Sequence, residues 1–280
     1  MITRRSILVV PTVVWAGIFF FIPLGLLILY SFGQIDIFTF DVTWGWTFDN
    51  YKRIIDPLYF KPIMRGVGIS LLATVMCLVI GFPVALWMSR LSGLAQSLLL
   101  VAVMVPFWAS FVVRTYALVN LLSDGGPVAD ALKAIGIGDG APGIMYTPFA
   151  VAIGIVYSYL PLMILPLFVA LERINPSLLQ ASADLGASNF RSFRRVTLPL
   201  AAPGIVAGCV LVGIPATGEY VIPAILGGGK TLLVGNVIAD QFLELGDYPF
   251  GSALAVALML ALMAVLVVVR SRLRNTEDVA

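Results

Sequence analysis

The chain has 280 residues, 60% of them hydrophobic and only 11% charged, with a formal net charge of +2. Soluble domains carry about 25% charged residues, so this composition excludes an ordinary water-soluble globule and points to an integral membrane protein. Histidine is absent, which removes the usual general base and the commonest metal ligand.

A helix needs roughly 20 apolar residues to cross a bilayer. Six segments qualify in chain order: 7–32, 66–89, 97–122, 147–171, 201–226 and 250–269. The expected fold class is an all-α membrane protein of six transmembrane helices, forming one domain over 1–280. The short alternating runs of a membrane barrel are missing. Four segments carry no charge, the third holds only Arg114 and the fifth only Glu219. Cys77 and Cys209 lie inside apolar runs without CxxC spacing, so neither a disulfide framework nor a metal site is expected.

The first segment follows Thr3-Arg4-Arg5-Ser6-Ile7-Leu8, which has the look of a twin-arginine export signal. The apolar run continues to Phe32, well past a signal core of about 7–15 residues, and no small-residue cleavage site closes it. An uncleaved first span is expected.

An even number of spans puts both termini on one side. With the termini inside, the inner segments hold Arg4, Arg5, Arg90, Arg173, Arg191, Arg194, Arg195, Arg270, Arg272 and Arg274. The outer segments hold Lys52, Arg53, Lys61, Arg65, Lys133 and Lys230. Basic residues accumulate on the cytoplasmic side, so both termini are expected there.

The outer loops are then 33–65, 123–146 and 227–249. The first carries Trp44, Trp46, Phe48 and Tyr51, suited to the headgroup level where aromatic rings collect. The third contains Gly228-Gly229-Lys230-Thr231. A phosphate-binding loop needs a glycine five residues before the last one, and Ala224 stands there. Nucleotide binding by this chain is not expected, and any ATP, with its Mg, belongs to another subunit.

Of the inner loops, 90–96 is short and 172–200 is long and patterned. Asn175-Pro176 is a helix start, and Gly186 permits the left-handed residue that ends a helix. Ser188 caps a second short helix whose Phe190 and Phe193 share a face, and Leu198-Pro199 closes it. Such a helix–turn–helix suits either an amphipathic connector resting on headgroups through Arg191, Arg194 and Arg195, or a docking element for a cytoplasmic partner.

Gln180-Ala181-Ser182, then Gly186, then Val196, Leu198 and Pro199 resembles the "EAA" motif of ABC-importer permeases. Gln180 replaces the acid of that pattern and Ser182 its second alanine. A narrower resemblance, to permeases of the spermidine/putrescine type, rests on Asp56-Pro57-Leu58-Tyr59-Phe60, Val105-Pro106-Phe107-Trp108, Arg114-Thr115-Tyr116 and Asp184-Leu185-Gly186-Ala187-Ser188. It extends to Gly235-Asn236-Val237-Ile238 and Asp247-Tyr248-Pro249-Phe250-Gly251. The resemblance implies a type I ABC-importer permease in the bacterial inner membrane, working by alternating access. It also implies a second permease, two ATPase copies and an extracytoplasmic binding protein as partners. Gln180, Ala181, Ser182, Ala183, Asp184, Leu185 and Gly186 become the segment that docks on the ATPase. Membrane lipid is the other expected contact; nucleic acid is not one.

Charges inside spans are rare and functional by default. Arg114 and Glu219 lie at similar distances into two outward-running spans, so at about 1.5 Å per residue they reach similar depth and can neutralise each other, pinning the third and fifth spans together. Alternatively, Glu219 faces the translocation path and attracts a cationic amine, with Trp108, Tyr116, Tyr157, Tyr159 and Tyr220 available for cation–π contact. Both readings stay open in the sequence. So do other solutes, because the ATPase family is shared with importers of iron, sulfate, thiamine and phosphonates. A self-sufficient secondary carrier would show more intramembrane acids and an internal repeat. A membrane enzyme is the weakest alternative, with no clustered carboxylates or activated nucleophile.

Overall fold

The computed structural model describes residues 4–36, 41–134 and 144–277. Residues 37–40 and 135–143, inside two of the expected outer loops, lie outside the described residues, as do the extreme termini. In chain order the elements are α1 (Arg4–Ser31), β1 (Gln34–Ile35), β2 (Val42–Thr43), α2 (Asp49–Ile54), α3 (Pro57–Met88), α4 (Gly93–Trp108), α5 (Phe111–Leu122), α6 (Pro127–Ala134) and α7 (Pro148–Glu172). They continue with α8 (Pro176–Asp184), α9 (Asn189–Ser192), a π-helical turn (Phe193–Thr197), α10 (Leu198–Gly218), α11 (Val221–Leu226), α12 (Val234–Leu243) and α13 (Tyr248–Glu277).

The apolar runs do become long helices. Five are long and apolar enough to cross a membrane, and a sixth span results if the bent pair α4–α5 counts as one. The expected straight third span, 97–122, is corrected: α4 and α5 meet at 93°. Pro106 removes a donor in the last turn of α4, Ala109 is extended and Ser110 is non-helical. The fifth expected span, 201–226, which Pro203, Pro215 and Pro223 with Gly213 and Gly218 mark as an interrupted helix, does break, at Glu219 and Tyr220. Pro223 has no N–H to offer the Glu219 carbonyl, so a continuous helix there would lose that bond. Strictly all-α is corrected too, since β1 and β2 pair antiparallel, Gln34 opposite Thr43 and Ile35 opposite Val42.

The chain divides into two compact units. The first comprises Met1–Lys61 and Val237–Ala264. In it, buried Asn50 donates to the carbonyls of Ser31 (3.1 Å) and Gly33 (2.8 Å), and the Tyr51 hydroxyl lies 2.8 Å from Ser31 Oγ. Tyr51 is therefore a local fastener, while Trp44 and Trp46 remain exposed. Arg53 Nη1 donates to Asp247 Oδ2 at 2.9 Å, and its guanidinium lies 4.0 Å from the Phe250 ring centroid. Phe250 in turn packs edge-on against Tyr59. Two of the quoted motifs, Asp56–Phe60 and Asp247–Gly251, thus meet in one packing cluster.

The second unit comprises Pro62–Asn236 and Val265–Ala280. Its core lies between α3, α7 and α10, with buried Ala73, Cys77, Ile155, Met163, Leu167 and Val212. Small residues let the backbones approach: a side chain at Gly204 would strike Ala170 and the Pro166 carbonyl, and one at Gly208 would strike Met163. This small-residue contact replaces the water-driven association that lipid cannot supply.

Candidate functional site

The connection between α7 and α10 folds much as its local signals dictate. The Asn175 side chain accepts from the Ser177 amide at 3.0 Å and Pro176 opens α8. At the other end Gly186 takes φ +75°. Its amide donates to the Ala183 carbonyl (2.8 Å) and the Ala187 amide to the Ser182 carbonyl (3.0 Å), the paired bonds of a Schellman ending. Ser188 accepts from the Arg191 amide and opens α9. Ser182 Oγ and Ser192 Oγ lie 2.7 Å apart, so Ser182, one of the two departures from the family pattern, fastens α8 to α9.

Two details differ from expectation. Leu198-Pro199 does not close α9, because the helix runs on through the π turn, where the Leu198 amide donates to the Phe193 carbonyl. Nor do Phe190 and Phe193 share a role. Phe193 packs against Phe82 of α3 at 5.7 Å between centroids, whereas Phe190 is 73% exposed. Leu185, 88% exposed, joins it as a bare apolar side chain, with Gln180, Ala181, Ala183, Asp184 and Gly186 also exposed.

The second polar feature is the break between α10 and α11. Glu219, only 7% exposed, turns its carboxylate onto the start of α11. Oε1 accepts from the amides of Val221 (2.9 Å) and Ile222 (3.3 Å). Pro223 has no amide hydrogen and the Ala224 amide already bonds the Tyr220 carbonyl, so Glu219 satisfies the free donors of that first turn. Oε2 accepts from the Tyr159 hydroxyl at 2.5 Å. From the far side Asn236 Nδ2 donates to the Tyr220 carbonyl at 2.7 Å, and its Oδ1 accepts from the Leu233 amide at 3.1 Å.

Arg114 and Glu219 do not pair. Among the described residues the ion pairs within 4.0 Å are Lys52–Asp49 and Arg53–Asp247. The bend between α4 and α5 removes the straight-helix premise on which equal depth rested. Arg114 is buried, with its charge 5.2 Å from the Phe107 ring centroid and 5.6 Å from that of Phe111. Of the other candidates, only Tyr159 touches Glu219. Tyr220 is its chain neighbour but exposed, and Trp108, Tyr116 and Tyr157 are likewise exposed.

Asn236 escaped the sequence reading as a site residue, although the motif Gly235-Asn236-Val237-Ile238 marked the place. Gly235 is there for close approach: a Cβ would collide with the Gly218 carbonyl, and would lie 2.8 Å from the Glu219 oxygen. Both are backbone atoms and cannot step aside. Gly235→Ala is therefore expected to destabilise this junction by about 1–3 kcal/mol, the usual cost of overpacking. A lowered unfolding temperature of the purified protein checks it.

Helices broken around one buried carboxylate, with an exposed helical hairpin at the far end of α10, recur in transport proteins. The chain belongs to the family of binding-protein-dependent transport system inner membrane components, whose pattern it matches over residues 66–275. Among its relatives is the spermidine/putrescine transport system permease protein PotB of Escherichia coli (strain K12), 41% identical over 272 residues, covering 96% of this chain and 98% of that one. PotB of Salmonella typhimurium (strain LT2) is 41% identical over 275 residues, 98% of this chain and 96% of that one. An E. coli inner membrane ABC transporter permease, YdcU, is 34% identical over 88% of this chain and 82% of its own length.

Of solved structures, a bacterial ABC transporter involved in import of the acidic polysaccharide alginate matches with a TM-score of 0.76 at 18% identity. The match covers 98% of this chain and 97% of that one. The alginate transporter in complex with its alginate pentasaccharide-bound periplasmic protein gives 0.78, again at 18% identity, over 98% and 96% of the two chains. These two establish the fold alone.

Proposed function

We propose that this chain is a permease subunit of an ATP-driven importer for spermidine, putrescine or a close polyamine. The observation that carries the reading is 41% identity, over almost the whole length of both chains, to spermidine/putrescine permeases. Chemistry supports it: a flexible polycation needs a carboxylate and aromatic faces along its path, and Glu219 with Tyr159 and Tyr220 supplies them at the broken helix. Trp108, Tyr116 and Tyr157 are the outlying candidates for the same path.

In this reading both termini and the 172–200 connection face the cytoplasm, in accord with the arginine excess on that side. A second permease completes the path, and an extracytoplasmic binding protein delivers the substrate. Two ATPase copies bind ATP and Mg, and this chain holds no cofactor. The ATPase grips the segment Gln180–Gly186, where Leu185 and Phe190 offer apolar side chains to a groove. Closure of the ATPase pair then moves α8 and α9, and through them α10, alternating access to the path.

Leu185→Asp tests the grip. The side chain is almost wholly exposed, so the fold itself should change by no more than about 0.5 kcal/mol. Co-purification of the ATPase is expected to fall at least tenfold; unchanged co-purification and uptake would remove this hairpin from the contact. Solute identity is tested by uptake of labelled spermidine and putrescine into cells lacking their own polyamine importers and expressing the full set of subunits. Another solute is the second reading, because a trehalose transport permease of Mycobacterium tuberculosis, SugB, is 29% identical over 77% of this chain. Assembled complex without polyamine uptake would favour it.

A further inference from the structure

Arg114 is the feature that the import reading leaves unexplained. It is 8% exposed, and its Nε and Nη1 hydrogen-bond to nothing. No carboxylate among the described residues lies within 4.0 Å of it. A buried cation without a counter-charge is costly, and contact with the Phe107 and Phe111 rings offsets only part of that. Fixed structural arginines end in carboxylates or carbonyls. This one rests on aromatic faces with a buried donor edge left unpaired.

Its surroundings say what that edge serves. A side chain at Gly154 of α7 would meet Leu118 of α5 together with Ile222 and Leu226 of α11, so the three helices share one apolar seam. Arg114, Tyr159 and Glu219 each stand about one helical turn from it. Tyr159 ties α7 to the carboxylate, its hydroxyl donating to Glu219 Oε2 at 2.5 Å. The carboxylate has about four acceptor positions, and three donors occupy it. One position on Oε2 is left for a further cation.

We propose that Arg114 is a tethered competitor of the substrate's ammonium groups for Glu219. The guanidinium has two resting places: the Phe107 and Phe111 faces, seen here, and the open side of the Glu219 carboxylate. A substrate ammonium on Glu219 excludes Arg114 from the carboxylate and confines it to the rings; without substrate the guanidinium exchanges between the two places. The competition weakens polyamine binding in the path and speeds release, as a conduit requires binding strong enough to enter but weak enough to leave. This inference rests on the reading of Glu219 as a pathway residue. Arg114 acts on the substrate through Glu219 and is a positioning residue.

The test is equilibrium binding of labelled spermidine to the purified permease–ATPase complex in lipid nanodiscs, without the binding protein. Arg114→Met keeps an apolar stem on the rings and removes the charge. It is expected to tighten spermidine binding about tenfold and slow its dissociation, while Arg114→Lys restores wild-type behaviour. Unchanged affinity in Arg114→Met, with Glu219→Gln weakening binding, overturns the Arg114 proposal and spares the pathway reading. Native affinity in Glu219→Gln overturns the pathway reading itself. Should Arg114→Met not assemble, Arg114→Gln carries the same expectation. Assembly lost in both and kept only with lysine also overturns the proposal, because the charge is then demanded by the fold.

Discussion

Gly186→Val is expected to cut ATP-dependent uptake at least tenfold while the spans stay assembled. The reason is conformational. A Cβ at Gly186 would meet nothing within 4 Å, so crowding has no part in it. The backbone, however, sits at φ +75°, where an L side chain costs roughly 1–2 kcal/mol and a β-branched one more. α8 has no buried residue and only nine in all, so its end bonds to Ser182 and Ala183 carry much of its stability. A change of ~2 kcal/mol shifts the local open-to-closed ratio roughly thirtyfold. The docking segment then frays where the ATPase must push on it. The substitutions should rank Gly, Asn, Ala and Val from most to least active, since asparagine tolerates the left-handed region. Uptake and substrate-stimulated ATP hydrolysis, measured on complexes of equal yield, check the order. Equal activity of the asparagine and valine variants would remove the backbone explanation.

That hairpin was legible because its signals are local. Asn175-Pro176, Gly186 and Ser188 each act within one turn, and each does in the structure what its chemistry prescribes. The long apolar runs were legible for a similar reason, since length and composition suffice. Bends were less so. Pro203, Pro215 and Pro223 mark span five as interrupted and Pro161 and Pro166 span four. Yet α7 runs through its two prolines and α10 through Pro203 and Pro215, because where the chain opens depends on which carbonyls find other partners. It opened at Ala109 and at Glu219. The expected Arg114–Glu219 pair failed for that reason: depth counted in residues assumes a straight helix, and the 93° bend cancels the count. The cap formed by Glu219 was invisible because the amides it binds become free only once the helix has broken. Pro199 misled in the opposite sense, since a wide π turn carried the helix past a residue that ordinarily ends one.

Glu219 offers the sharper test of how chemistry and architecture share one side chain. Glu219→Gln preserves shape: its carbonyl still accepts from the Val221 and Ile222 amides, and its NH2 donates to the Tyr159 oxygen in a reversed bond. What it loses is charge. A hydrogen bond to a charged group is worth about 1.5–3 kcal/mol, so a path that uses this carboxylate to hold an ammonium group should lose roughly 10–100-fold in uptake rate, with normal yield of complex. Glu219→Leu removes the acceptors as well. It strands two amides and a tyrosine hydroxyl in the interior, at about 1–3 kcal/mol each, and is expected to lower the yield of complex before transport is considered. Parallel measurement of yield and of initial spermidine uptake separates the two. Low uptake at full yield in the glutamine variant places the charge in the path. Wild-type uptake in that variant, with poor yield only for leucine, makes Glu219 a cap for α11 and moves the search for the polyamine site to the exposed aromatics of α4, α5 and α7.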